Sequence, residues 1–359
     1  MSMQSVIGGA RIRELYTSSI TILPTYRCNA ECEQCCFESN PRISTRLGLE
    51  TIKQRIDDAV KTFPNLKLVV FSGGECFLLK DDLFAAITYA SAYGLSVRCV
   101  TNAFWGKTTK NANRTARRLT ESGIAEINIS TGLDHQRWVP EQSVVNAVAA
   151  LVSHRITTVV TVERDTETSA CYKHLISKRE IQQALTEEYS RFKLMTNSWM
   201  AFHSDAAPRK STEDFREKKG CQQIFRNVVI TPNDEMSACC GLTFEHIPEL
   251  KLGRLSEVSM QAAFDQQLDD FLKIWIRMDG PEAIIEKLFP DEAPKQIEQN
   301  VVHICQACVI LHKHPKIREE LNKRYHEFVP DVLSRFAARI RLDRIIRQTS
   351  MGREEENAL

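Results

Sequence analysis

From residue 19 to about 205 the chain alternates short β-like runs with amphipathic helical ones, and that rhythm restricts the fold more than any single motif. "SITILPT" at 19–25 and "KLVVF" at 67–71 are strand-like. Between them "LETIKQRIDDAVKTF" places Leu49, Ile52, Ile56, Ala59 and Val60 at helical spacing. The pattern then repeats. "DDLFAAITYASAYG" is a helix closed by Gly94, "LSVRCVTNA" a strand, "NRTARRLTESG" a helix closed by Gly123, and "IAEINIST" a strand. "QSVVNAVAALVSHR" and "ITTVVTVER" add a further helix and strand. Short connections between such runs predict parallel βαβ units. Five or six units are too few for a closed eight-unit barrel, so the expected architecture is α/β, a partial TIM-like (β/α)6 barrel over residues 19–205 behind an N-terminal extension, 1–18. Reactive groups of parallel α/β folds collect at the C-terminal ends of the strands. A cysteine-rich segment, "SGGE", "TNA" and "STGLDHQ" all follow predicted strands and should meet at one mouth.

After residue 206 the rhythm breaks. "IFRNVVITPNDEMSACCG" reads as two short strands around a turn, and 256–300 as mostly helical with a loop near Gly280-Pro281. In 331–348, Leu333, Phe336, Ile340, Ile345 and Ile346 share one helical face with five arginines elsewhere, which predicts a helix docked on the body. The expected organisation is thus a small α+β domain, 206–320, then a C-terminal helix in 321–359 ending in a disordered tail, "GREEENAL". With 47 basic and 46 acidic residues the net charge is +1, which argues against an overall nucleic-acid or acidic-membrane footprint. No signal-peptide core and no run of roughly 18 apolar residues is present. The expected location is therefore the cytoplasm.

In that compartment twelve cysteines point to metal ligation more than to disulfides. Cys99 and Cys171 read as small buried hydrophobes. Nine of the others cluster, and "TYRCNAECEQCCFES" alone holds Cys28, Cys32, Cys35 and Cys36. Cys28, Cys32 and Cys35 are spaced Cys-x3-Cys-x2-Cys, and three thiolates from one loop hold three irons of a cubane cluster while leaving the fourth iron open. Cys36 is one residue out of that register. A structural zinc knot, which would use all four thiols, is the competing reading.

The spacing just after a first strand resembles the signature of the radical S-adenosylmethionine (radical SAM) superfamily. The resemblance extends to "FSGGE" at 71–75, similar to the family's Gly-Gly-Glu segment, to "VTNA" at 100–103, similar to its Thr-Asn-Gly, and to Ser130 at the end of "INIS". It implies a [4Fe–4S] cluster with an open iron site on Cys28, Cys32 and Cys35, and SAM beside it. It also implies cofactor contacts from Gly73, Gly74, Glu75, Asn102 and Ser130, the glycines allowing close backbone approach and Glu75 supplying negative charge. Two features depart from the family. Gln34 stands where an aromatic residue usually lies near adenine, leaving that contact to other groups such as the Phe37 ring, and Ala103 replaces a glycine.

A second set of thiols comprises Cys221, Cys239 or Cys240, Cys305 and Cys308. The text around it, "VVITPNDEMSACCG" then "LKLGRLSEVSM", is similar to the SPASM or twitch auxiliary-cluster domain, with Pro232-Asn233-Asp234-Glu235 filling a turn that usually holds glycine. The resemblance implies a second [4Fe–4S] cluster on Cys221, Cys240, Cys305 and Cys308. Cys240 is preferred over Cys239 because Gly241 follows it, and zinc with a nearby histidine (His303, His312 or His314) is the alternative. Arg209 is a weaker candidate for a SAM contact. The implied activity is reductive cleavage of SAM to a 5′-deoxyadenosyl radical that abstracts a substrate hydrogen. The expected substrate is a ribosomally made peptide or protein. A small-molecule dehydrogenase or cyclase, and a non-catalytic zinc scaffold, are the alternatives. A flavodoxin- or ferredoxin-type electron donor is implied. Residues 1–18 are too few for a leader-gripping winged helix, so a leader would bind the arginine helix or a separate leader-peptide-binding protein.

Overall fold

The computed structural model describes residues 8–164, 169–187, 191–200, 220–239, 244–290, 301 and 303–356. A short helix α1 (Gly9–Leu15) leads to β1 (Ser19–Ile22). The alternation then follows as α2 (Leu49–Thr62), β2 (Leu68–Phe71), α3 (Asp81–Ala92), β3 (Ser96–Thr101), α4 (Thr109–Glu121) and β4 (Glu126–Thr131). A one-turn helix α5 (Leu133–Gln136) and α6 (Glu141–Ser153) precede β5 (Thr157–Glu163), and α7 (Ala170–Ile176) and α8 (Arg179–Thr186) precede β6 (Phe192–Asn197). Successive strands β1 to β6 pair in parallel, the six-strand open barrel that the alternation predicts. The stripe read in α2 is the buried one: Ile52, Ile56 and Ala59 are fully covered. Covering each isoleucine stabilises the fold by roughly 2–3 kcal/mol.

The sheet continues beyond the barrel. After β6 the chain returns as β7 (Asn227–Ile230), which lies parallel to β1 on the edge away from β2. The antiparallel strands β8 (Glu235–Ser237) and β9 (Lys251–Arg254) follow, so one nine-stranded sheet runs β6-β5-β4-β3-β2-β1-β7-β8-β9. In the β7–β8 turn Asp234 adopts φ +60°, the left-handed conformation usually left to glycine. Its carboxylate is gripped by Arg55 of α2 at 2.7 and 2.6 Å.

Helices α9 (Met260–Gln266), α10 (Phe271–Asp279), α11 (Pro281–Leu288) and α12 (Ile304–Lys313) complete this region. The last helix, α13, is longer than expected. It runs from Pro315 to Glu356, passes through Pro330, and includes most of the segment expected to be a disordered tail. Val332, Phe336 and Ile340 are buried, with Phe336 against Tyr16 and Phe225, whereas Ile345 and Ile346 are exposed. The docking face therefore ends about one turn earlier than its periodicity suggests. Tyr16 adds a hydrogen bond to Asp343 at 2.8 Å. No helix among the described residues is long and apolar enough to cross a membrane.

Candidate active site

The segment leaving β1 is held before it reaches its cysteines. The Thr25 hydroxyl donates to the Thr45 carbonyl at 2.8 Å and accepts the Arg27 N–H at 3.0 Å. The Cys28 N–H donates to the Asn40 carbonyl at 3.1 Å, closing a loop that carries all four N-terminal thiols. Gly73 and Gly74, leaving β2, press directly on this segment. A Cβ at Gly73, where φ is +108°, would lie 2.4 Å from the Thr25 carbonyl oxygen, and one at Gly74 would lie 2.2 Å from that of Arg27. The N–H groups of Gly74 and Glu75 donate to those same carbonyls at 2.9 Å. In this chain, then, the glycines bring the β2 end against the cysteine loop.

Glu75 is turned away from the mouth and is fully buried. Its carboxylate accepts the Asn102 N–H at 2.8 Å, the Phe77 N–H at 3.1 Å and the Thr101 hydroxyl at 2.9 and 3.0 Å. Burial pushes this carboxyl up to about 7, against the opposing pull of those donors. What Glu75 does geometrically is fix Asn102. The Asn102 amide then donates to Asn29 at 2.9 Å and approaches the Cys28 sulfur at 3.7 Å. Ala103, in the place of glycine, takes the left-handed conformation at φ +60°.

These elements surround a cavity of about 440 Å³. Cys28, Cys32, Cys35, Gly73, Gly74, Asn102 and Ser130 all line it, as do Cys36 and Phe37, while Glu75 stands behind its wall. Burial, then the charge of Glu75, pushes the Cys28 thiol up to about 12. Burial, then the charge of Cys35, also pushes the Cys32 thiol upward. Neighbouring thiols that resist ionisation call for a bound cation to hold them as thiolates. Among the described residues no three acidic, cysteine or histidine groups are already drawn together to hold a metal ion. The donor set nevertheless has the composition and spacing of an iron–sulfur site. Buried polar atoms of Ser39, Asn128, His135 and Trp199, all lining the cavity, find no hydrogen-bond partner among the described residues. A ligand carrying both donors and acceptors fits there.

Of the rest of this wall, "STGLDHQ" was expected at the mouth and supplies Asp134 and His135, whereas Glu163 and Trp199 were not singled out. Asp134, His135, Glu163 and Trp199 line the cavity, and burial pushes the His135 imidazole down to about 4, so it is neutral near pH 7. The His135 and Trp199 rings lie 5.3 Å apart. For Glu163 a signal existed: an acid ends the otherwise apolar run "TTVVTVE" and is fully buried there. Gln34, in the aromatic's place, is buried and held through its main chain.

Cys240 and Arg209 lie outside the described residues. Of the remaining second-set thiols, Cys308 has Cys239 and Cys221 as charged-state neighbours, and burial pushes it well above the ordinary thiol range. Cys239 is also a neighbour of Cys221 and of Cys36, which has Cys35 of the first set beside it as well. Cys305, on the first turn of α12, donates its N–H to His303 at 3.1 Å. His312 uses Nδ1 on the Cys308 carbonyl at 2.8 Å. Cys99 is buried as expected, and Cys171 is half-buried.

Three thiols spaced for an open cluster, set at the ends of parallel strands beside a double glycine, resemble a radical SAM site. Residues 22–162 match the sequence model of the Radical SAM superfamily. A curated relative, YydG of Bacillus subtilis (strain 168), whose name places it in peptide biosynthesis, is 27% identical over 132 residues. That match covers 37% of this chain and 41% of the relative's length. Among solved structures, a polyhistidine-tagged form of anSMEcpe with bound AdoMet aligns over 86% of this chain and 99% of its own, at TM-score 0.51 and 13% identity. Native anSMEcpe with bound AdoMet and the Cp18Cys peptide aligns over 86% and 99%, at TM-score 0.50 and 12% identity. These likenesses establish the fold.

Proposed function

We propose that this chain is a radical SAM enzyme that modifies a peptide. The observation that carries the reading is the single cavity lined together by Cys28, Cys32, Cys35, Gly73, Gly74, Asn102 and Ser130. Cys28, Cys32 and Cys35 would hold the cluster, with Asn102 steadying Cys28 through its amide. Ser130 and Asn128 offer polar groups to a ribose, and His135, Trp199 and Phe37 offer rings to the purine in place of an aromatic at position 34. When bound, the cluster and SAM together supply one-electron cleavage of the sulfonium C–S bond, giving a 5′-deoxyadenosyl radical that takes a hydrogen atom from substrate. The protein's part is to orient the reactants and exclude water, through buried walls on the Glu75–Asn102 and Asp134–Glu163 sides.

A peptide substrate is favoured because the relative YydG is named for peptide biosynthesis and the anSMEcpe fold is seen with a peptide bound. A second [4Fe–4S] cluster on the Cys221, Cys305 and Cys308 side, completed by Cys239 or Cys240, and a flavodoxin- or ferredoxin-type donor belong to the same proposal. The test is iron and sulfide content after anaerobic reconstitution, together with 5′-deoxyadenosine release from SAM. About eight irons per chain falling to about four in a Cys28, Cys32 and Cys35 triple alanine variant, with loss of 5′-deoxyadenosine, is expected. Zinc without iron in both proteins would sink the reading.

A further inference from the structure

Two carboxylates outside the recognised motifs link three parts of the site. Glu163 ends β5, fully buried, and its Oε2 accepts the Asp134 N–H at 2.9 Å. Asp134, 5% exposed, accepts the main-chain N–H of Gln34 at 2.9 Å, across a hundred residues of sequence. The approach depends on Gly132: φ there is +139°, and a Cβ would lie 2.2 Å from that of Glu163. Gln34 sits between Cys32 and Cys35 in a loop without regular structure, whose internal tie there is the Cys35 N–H to the Cys32 carbonyl at 3.2 Å. A carboxylate accepting a main-chain N–H makes one of the stronger hydrogen bonds available to anchor such a loop. Both carboxylates line the same cavity as Cys32. Arg137, at 3.5 Å from the other Asp134 oxygen, is 62% exposed and offsets that charge only weakly.

We propose that Glu163 and Asp134 form a positioning relay, fixing the Cys32–Cys35 loop to the ends of β4 and β5 and holding negative charge beside it. The loop-fixing half stands on the hydrogen bonds alone, whereas the charge half rests on the cluster reading above. Negative charge beside a cluster favours its oxidised form, so the relay lowers the cluster's reduction potential.

The first measurement is hydrogen–deuterium exchange at the Gln34 amide in the metal-free full-length chain. Asp134→Ala should speed that exchange by about tenfold or more, as loss of a hydrogen bond to a charged acceptor requires. Asp134→Asn keeps a carbonyl acceptor and should stay close to the parent. The second measurement is the midpoint potential of the reconstituted cluster in the parent and in Asp134→Asn, which should rise in the variant because the loop is retained and the charge removed. Unchanged Gln34 exchange in Asp134→Ala overturns the anchor, and an unchanged potential in Asp134→Asn overturns the electrostatic role. If Asp134→Ala fails to fold, Glu163→Ala supplies the exchange test, since it unseats Asp134 from β5. A parent chain that takes up no iron defeats the proposed function, while the exchange measurement still decides the anchor.

Discussion

One methyl group at position 74 separates two accounts of the double glycine, a packing requirement and a cofactor requirement. In Gly74→Ala the new Cβ would lie 2.2 Å from the Arg27 carbonyl oxygen and 2.6 Å from that of Tyr26. Both are backbone atoms, so no side chain can swing aside. The β2 end must back away, which stretches the Gly74 N–H to Thr25 and Glu75 N–H to Arg27 hydrogen bonds, each 2.9 Å. Overpacking of this kind costs about 1–3 kcal/mol, and two weakened main-chain bonds add about 1 kcal/mol each. A loss of about 4 kcal/mol in the metal-free chain follows. With a urea m-value on the order of 4 kcal/mol/M for a chain of this size, the unfolding midpoint should fall by about 1 M. Gly48→Ala is the matched control, since nothing lies within 4 Å of its Cβ position and Gly48 has an ordinary φ of −76°. Its midpoint should move by less than the equivalent of about 0.5 kcal/mol. If the two variants unfold at the same urea concentration, the packing account is wrong and the glycine serves only a bound ligand.

Other consequences are measured as directly. Because burial raises the Glu75 carboxyl from its ordinary 4.5 to about 7, its protonated form is favoured in the folded chain. The associated stability is full below the ordinary value and is lost as pH rises through about 7, a change of about 3 kcal/mol. The urea midpoint of the metal-free chain should therefore fall between about pH 5 and 8, and Glu75→Gln should flatten that slope, with Cys28 and Cys76 as the neighbouring titratable groups. Arg55→Met leaves Asp234 and Asp58 without their shared cation and should cost about 3 kcal/mol in denaturant unfolding, since Arg55 is nearly buried. Trp199→Leu should weaken SAM binding by about tenfold in equilibrium dialysis, the effect of removing one base-stacking ring, and unchanged affinity would place the purine elsewhere. In the Cys28, Cys32 and Cys35 triple alanine background, Cys36→Ser should lower the remaining iron because Cys36 neighbours Cys239, and an unchanged iron content would make Cys36 a packing residue.

What local pattern could reveal and what it could not divide along a physical line. Helix and strand periods are local, so the first five barrel strands and the helices between them were legible, as was the mouth where "SGGE", "TNA" and the cysteines meet. The pairing of β7 with β1 was not, because it joins segments some two hundred residues apart through backbone groups that every residue type carries. The run of the last helix through Pro330 was not legible either, since the burial of Val332, Phe336 and Ile340 beyond it is a tertiary feature. The missing turn glycine at Asp234 was visible, but its compensation was not, since it comes from Arg55 on a distant helix.

The same division explains what the sequence showed of Glu75 and what it did not. A motif records which residue types recur together, and an acid after two glycines next to a SAM-like signature suggests negative charge near the cofactor. The geometry adds that this acid stands behind the wall, where it holds Asn102, and Asn102 in turn reaches Cys28. Asp134 and Glu163 repeat the arrangement on the other side, one carboxylate holding a main chain that holds the next. The loop that carries Cys28, Cys32 and Cys35 is therefore tied to two strand ends by buried acids acting through backbone N–H groups. Substitutions that keep a hydrogen-bond acceptor at 134 or 163 should preserve the loop even where they remove charge, whereas shortening either side chain to alanine should release it. Position and charge are thus separable properties of this site, each with its own variant and its own readout.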